Sequence, residues 1–277
     1  MTHLTLRVFA LLLLTLVAFA GNSVLTRAAL VDPANGATSF AAVRLLSGAL
    51  MLGLIGGFAR HSVTPRLRDL PAVLALFLYV LGFSLAYRAM SAATGALILF
   101  AFVQITMLAV ALLRGVRLSG FGWLGLALAL GGLVWLLSPG LSSPPLTAAL
   151  LMSGAGVAWG AYSILGQGGG DPVGRSIRNF IGAVPLALVL LLVVPVSLTA
   201  SGWALSVASG ALASALGYVL WYRVLPLIPV PLAASAQLSV PVITALGGAL
   251  LLSEPISLQL VGACALVLTG IALSARK

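Results

Sequence analysis

Residues 85–90 read LAYRAM, and residues 220–225 read LWYRVL. Each stretch closes a long apolar run with a Tyr-Arg pair, Tyr87-Arg88 and then Tyr222-Arg223, 135 positions apart. Charged residues make up only 6% of the 277-residue chain. A repeated polar pair in such a chain is either a coincidence of composition or the trace of an internal duplication. Other landmarks recurring in the same order decide for duplication. At an offset of about 134–139, Gly21 falls on Gly160, and Arg44 with Gly48 falls on Arg178 with Gly182. Arg117 then falls on Glu254, and Gly125 on Gly262.

The composition places both halves in a membrane. Hydrophobic residues make up 61% of the chain, and the mean hydropathy is +1.21. A soluble domain carries about 25% charged residues, so no ordinary water-exposed surface can be built here. The net charge of +10 comes from 14 basic residues scattered at the ends of apolar runs. A nucleic-acid partner would need a dense local patch instead. One cysteine, Cys264, forms no intrachain disulfide, and it cannot make a structural metal site with two distant histidines, His3 and His61. No metal, cofactor or nucleic acid is expected.

A bilayer core needs roughly 20 apolar residues per helix. Ten such spans are predicted, at 7–29, 39–58, 70–90, 94–113, 119–137, 146–165, 176–196, 201–224, 231–252 and 258–274. Short cytoplasmic loops retain Lys and Arg. With both termini inside, Arg7, Arg60, Arg66, Arg68, Arg114, Arg117, Arg175, Arg178, Arg223, Arg276 and Lys277 fall on the inner side. Only Arg27, Arg44 and Arg88 fall outside. The expected location is therefore the cell inner membrane, multi-pass, with cytoplasmic termini. Ala18-Phe19-Ala20 before Gly21 imitates a signal-peptide cleavage site, but the duplication needs the first helix, so it is read as retained.

Five spans per half is an odd number, so the second copy enters the membrane in the opposite sense. The expected fold is an all-α membrane protein of ten transmembrane helices in two inverted-topology five-helix repeats (5+5), residues 1–142 and 143–277. Inverted repeats are characteristic of secondary transporters, with the cargo site near the midplane where the halves meet. The Tyr-Arg pairs also suit the aromatic and headgroup zone, so an anchoring role stays open for them. A monomer suffices for this symmetry, and a dimer is compatible with it.

The chain resembles the drug/metabolite transporter superfamily, in its EamA-type branch. The residues that carry the resemblance are the aligned arginine of the second span and the block YRVLPLIPVPLAASAQLSVPVITALGGALLLSEPISLQLVGACALVLTGIAL at 222–273, with a weaker copy at 87–134. Pro241, Glu254-Pro255, Gly262 and Gly270 match the family pattern. The ten-span form with a Tyr- and Trp-bearing interior is most similar to YddG-type aromatic amino acid exporters. The resemblance alone implies export. The first copy departs from the pattern with Gln104 in place of the proline and Arg117 in place of the glutamate.

Polar side chains within spans tend to face protein or water. The candidates are Asn22, Ser23, Gln104, Ser163, Ser214, Gln237 and Ser239, with helix-packing hydrogen bonds as the other reading. Aromatic pairs at helical spacing accompany them: Tyr79 with Phe83, Phe100 beside Gln104, Trp159 with Tyr162, and Tyr218 with Trp221. These pairs fit either ordinary packing or a pocket with apolar walls and a few orienting polar groups. The predicted cargo site takes Asn22, Gln104, Ser163, Gln237 and Ser239 for a polar head, and Tyr79, Phe83, Phe100, Trp159, Tyr162 and Tyr218 for an apolar tail. Pro185, Pro195 and Pro241 are predicted inside spans as kinks or gates. Gly53-x-x-x-Gly57 and Gly156-x-x-x-Gly160 are predicted as close helix crossings.

The four acids, Asp32, Asp69, Asp171 and Glu254, are placed at span ends or in loops, which predicts facilitated diffusion and not obligatory proton exchange. With no basic residue expected near the midplane, a phosphorylated cargo is disfavoured, and with no acid there, so is a strongly cationic drug. An amino acid with an apolar side chain fits, and other metabolites, nucleosides or toxic compounds are the alternatives. An intramembrane enzyme lacks a nucleophile within reach of a base, and GQGGGD at 166–171 lacks the Lys and Ser/Thr of a phosphate loop. A channel would need rings of polar groups from several subunits.

Overall fold

The computed structural model describes residues 6–59, 64–138, 143–166, 171–228 and 236–274. Among them the ordered structure is helical throughout. Among the described residues eight helices are long and apolar enough to cross a membrane, and two shorter apolar helices stand beside them. The first half has α1 (Leu6–Leu30), α2 (Ala37–Ala59), α3 (Leu70–Ala86), α4 (Ala92–Leu113) and α5 (Gly120–Leu137). The second has α6 (Leu146–Leu165), α7 (Pro172–Val193), α8 (Ala200–Leu227), α9 (Val240–Leu252) and α10 (Leu258–Ser274). His3, His61, Arg60, the glycines at 168–170, Arg276 and Lys277 lie outside the described residues.

Local chemistry fixes where many of these helices begin. Ser91, Ser119, Asp171 and Thr199 each cap a helix by accepting a hydrogen bond from a backbone N–H of the first turn of α4, α5, α7 and α8. Proline opens α3, α7 and α9, where its missing N–H would have had no partner in any case. This corrects two of the three expected kinks. Pro241 stands in the first turn of α9, not in the interior of a span, and Pro195 lies beyond Val193, in the extended connection to α8. Pro185 alone is inside its helix. The predicted ninth span is broken: residues 236–237 are helical, 238–239 form a turn, and the helix resumes at Val240.

Contacts between halves dominate the packing. α2 runs against α7 and α8, α3 against α6 and α7, α4 against α6 and α9, α1 against α8 and α9, and α5 against α10. The outward surface keeps large apolar side chains, Leu192, Leu250 and Leu258 among them, almost fully exposed. Such a face would aggregate in water and matches a lipid solvent. The chain is a multi-pass membrane protein.

The two glycine pairs behave differently. A methyl group on Gly156 would stand 2.7 Å from the Leu99 carbonyl, and one on Gly160 would stand 2.8 Å from the Thr106 Cβ, so α4 and α6 touch backbone to backbone. Around Gly53 and Gly57 there is open space, which overturns the crossing expected there. Gly156→Val is expected to destabilise the protein by about 1–3 kcal/mol through overpacking. Gly53→Ala is expected to be neutral or stabilising by up to about 1 kcal/mol, because alanine is the better helix former. Thermal unfolding of the two variants in the same detergent checks the contrast.

Candidate functional site

Between the halves lies a cavity of about 460 Å³, a size usual for small-molecule sites. Asn22, Tyr79, Phe83, Phe100, Gln104, Trp159, Tyr162, Ser163, Tyr218 and Gln237 all line it. Of the predicted set only Ser239 does not. It sits in the turn that breaks the ninth span, and its hydroxyl donates to the Ala236 carbonyl at 2.6 Å.

Helical spacing explains the convergence. On α4, Leu99, Val103 and Met107 recur every fourth residue beside Phe100 and Gln104, which gives one continuous face to the cavity. The aromatic wall centres on Trp159, whose ring lies 4.8 Å from Tyr79, 5.2 Å from Tyr218 and 5.3 Å from Tyr162, stacked on the last. Phe19 and Trp221 extend the wall, their centroids 6.0 Å apart. Phe19 was missed in the sequence. Its signal was position: it precedes Asn22 by three residues and so shares that helix face.

The polar side of the cavity rests on a buried network. The Asn22 carboxamide oxygen accepts from the hydroxyls of Ser209 at 2.9 Å and Ser214 at 3.1 Å. Both serines belong to a π-helical stretch of α8, Ala208–Leu216. Ser214 in turn accepts from Arg44 Nε at 3.2 Å, and Arg44 Nη2 donates to the Tyr79 hydroxyl at 3.0 Å. Arg44 is 1% exposed. This corrects its expected place at the outer end of a span: it lies two turns inside α2 and bonds to residues in the middle of α3 and α8. Gly210 makes the arrangement feasible, since a side chain there would collide with the Arg44 carbonyl and the Ser47 hydroxyl. The Gln104 and Gln237 carboxamides face the same cavity.

One end of the cavity is closed. Ser253, in the left-handed conformation (φ 54°), turns the chain at the end of α9 so that Glu254 folds back. The Glu254 carboxylate takes Arg27 Nε at 3.0 Å and the Ala92 N–H at 2.8 Å, while Arg27 Nη1 donates to the Tyr87 carbonyl at 3.1 Å. Four chain segments are tied at one point. Tyr87 is buried below it, packed edge-on against Phe83 at 4.6 Å, with its hydroxyl on the Ala92 carbonyl at 3.1 Å. The cavity lining does not reach this end. It reaches the opposite one, through Tyr222, Leu225 and Gly166 at the ends of α8 and α6. There Arg178 pairs with Asp69 at 3.0 Å, to one side of the opening. Arg178, expected at the inner end of its span, is buried there.

An all-helical membrane protein with an aromatic-walled central cavity closed at one end is thereby defined. Residues 146–276 match the EamA-like transporter family. The uncharacterized protein PA1977 of Pseudomonas aeruginosa is 51% identical over 269 residues, which covers 96% of this chain and 94% of that protein. A protein of known crystal structure superposes over 94% of this chain and 97% of its own with a TM-score of 0.62, at 21% identity, a likeness of fold. Residues 146–276 are thus an EamA-like transporter domain, which supports placing the chain in the drug/metabolite transporter superfamily of membrane transporters.

The closing ion pair is 20% exposed at Arg27 and 14% at Glu254. Glu254→Gln and Arg27→Gln are each expected to cost about 2 kcal/mol, below the range for fully buried pairs. The double variant should lose less than the sum of the singles. Unfolding of all four proteins in one detergent measures the coupling, and strict additivity would dismiss the pair as a tie.

Proposed function

We propose that the protein is a secondary transporter that moves small amphiphilic metabolites, aromatic or other apolar amino acids above all, out of the cytoplasm by alternating access. The observation that carries this reading is the cavity itself: an aromatic wall, Asn22, Gln104 and Gln237 in the lining, and described lining residues that reach one end and not the other. A zwitterion with an apolar side chain matches that lining, its head against Asn22, Gln104, Ser163 and Gln237, and its tail against the rings around Trp159.

The packing supports two inverted repeats, residues 1–142 and 143–277. Exchanging α1–α5 with α6–α10 turns the α3–α6 contact into α8–α1, and α4–α6 into α9–α1. It leaves α2–α7, α4–α9 and α5–α10 as they are, and all of these contacts occur. The excess of basic residues on one side favours cytoplasmic termini in the inner membrane. The open Tyr222 end is then the cytoplasmic one. Pro185, on the exposed face of α7, is the remaining hinge candidate. Among the described residues that line the cavity there is no Asp, Glu or His, which favours a facilitator over a proton exchanger. The repeat makes a monomer sufficient, and nothing in the mechanism requires a dimer.

Uptake of labelled Trp, Phe, Leu and Lys into proteoliposomes, with and without a pH gradient, tests the reading. Saturable Trp or Phe flux is expected, weak for Lys and indifferent to the gradient. Gln104→Ala is expected to raise KM roughly tenfold, the loss of one hydrogen bond to cargo of about 1.4 kcal/mol. Movement of a nucleoside or drug but of no amino acid would overturn the cargo. Flux that stops without a gradient would overturn the facilitator.

A further inference from the structure

Arg44 is the strongest unexplained feature of the membrane interior. Its guanidinium is fully buried, and Nη1 has no hydrogen-bond partner among the described residues. An ion in that position is costly unless a counter-charge compensates it. The chain has only four carboxylates, and each is engaged elsewhere. Asp69 holds Arg178, Glu254 holds Arg27, Asp171 caps α7, and Asp32 accepts from the Ala34 N–H in its own loop. What surrounds Arg44 is neutral. Ser214 and Tyr79 each take one of its N–H groups, and its Cζ lies 4.9 Å from the Phe83 ring centre and 5.3 Å from that of Tyr79. Tyr79 and Phe83 are cavity wall.

We propose that Arg44 and the Tyr79 hydroxyl make this cavity selective for cargo that bears a carboxylate. The inference rests on the cavity being the cargo site and adds the charge that the cargo must carry. Tyr79 accepts from Arg44, so its own O–H remains to donate, and the cation behind it strengthens that donation to an anion. The guanidinium also acts through space. A carboxylate on the cavity side of Phe83 would stand ~8 Å away, and at an effective dielectric of ~20 that attraction favours binding roughly 30-fold. Arg44 is thus a positioning residue whose missing counter-ion arrives with the cargo. A simple aromatic acid without an amino group is admitted on the same terms, and an amine without a carboxylate is rejected.

The test is binding to the purified full-length protein in nanodiscs, read by quenching of the cavity tryptophans Trp159 and Trp221. The probes share one ring: 3-phenylpropionate, phenylalanine, phenylalaninamide and phenethylamine. The two carboxylates should bind at least tenfold more tightly than the two amines. Arg44→Gln should bring that ratio to within about threefold of unity, Arg44→Lys should retain most of it, and Tyr79→Phe should fall between. A merely structural arginine would change all four affinities together and leave the ratio intact, which would overturn the proposal. The wild-type ratio and the Tyr79→Phe variant need no tolerance of the charge deletion by the fold. If no aromatic probe binds, the aromatic reading fails, and the same comparison is made with isovalerate, leucine and isopentylamine. A carboxylate preference there upholds the role of Arg44 for an aliphatic cargo, while no preference, or no binding, overturns it.

Discussion

An ion in hydrocarbon needs a partner within the protein, and this chain has four carboxylates to distribute among fourteen basic residues. Among the described residues, Arg7, Arg66, Arg68, Arg88, Arg114, Arg117 and Arg223 avoid the difficulty by standing exposed. Three others are held by groups inside the protein. Arg27 and Arg178 have carboxylates from distant parts of the chain, and each pair joins one half of the molecule to the other. Arg44 has only hydroxyls and rings. The arrangement of helices around the cavity reflects the need to satisfy these three cations with so few groups. α1, α3, α4 and α9 converge on Glu254, α3 and α7 on Asp69, and α1, α2, α3 and α8 on the Asn22–Ser214–Arg44–Tyr79 chain.

Apolar run length made the helices legible, and helical spacing made the cavity legible. Residues such as Trp159 with Tyr162, or Phe100 with Gln104, could be assigned to one face without a structure, because the period of the helix is known. What could not be read was depth. Arg44 and Arg178 stand near the starts of the predicted spans 39–58 and 176–196, and the chain gives no sign that both are buried in the bundle. The proline errors share that cause. Pro241 lies in the middle of an unbroken apolar stretch, and only the turn at 238–239 makes it the start of a helix. Glu254 is the loop residue the sequence suggests, but its ion pair with Arg27 was not legible, because the left-handed turn at Ser253, which brings it back, has no glycine to announce it.

The Tyr-Arg pairs acquire distinct meanings once placed. Tyr87 is fully enclosed beneath the Arg27–Glu254 tie, whereas Tyr222 borders the open end of the cavity and Arg223 faces outward beside Arg7. In the proposed transport cycle the two environments would exchange. The same dipeptide would then be core at one end and rim at the other, and a residue that must serve as both is well chosen in tyrosine, which carries a polar tip on an apolar body.

The π-helical stretch of α8 bears on the history of the molecule. From Arg44 to Tyr87 the chain advances 43 positions, and from Arg178 to Tyr222 it advances 44. Wide i→i+5 turns hold an extra residue without displacing the helix on either side, and Ala208–Leu216 lies within the longer interval. On the duplicated reading, this stretch is one place where the second interval, with its shorter loop before α8 and longer helix, holds additional length, in the segment that carries Ser209 and Ser214. The two halves would then have parted in length at a place where they now share a polar wall, so a cargo entering from either side would meet a site that is chemically lopsided although its scaffold is mirrored.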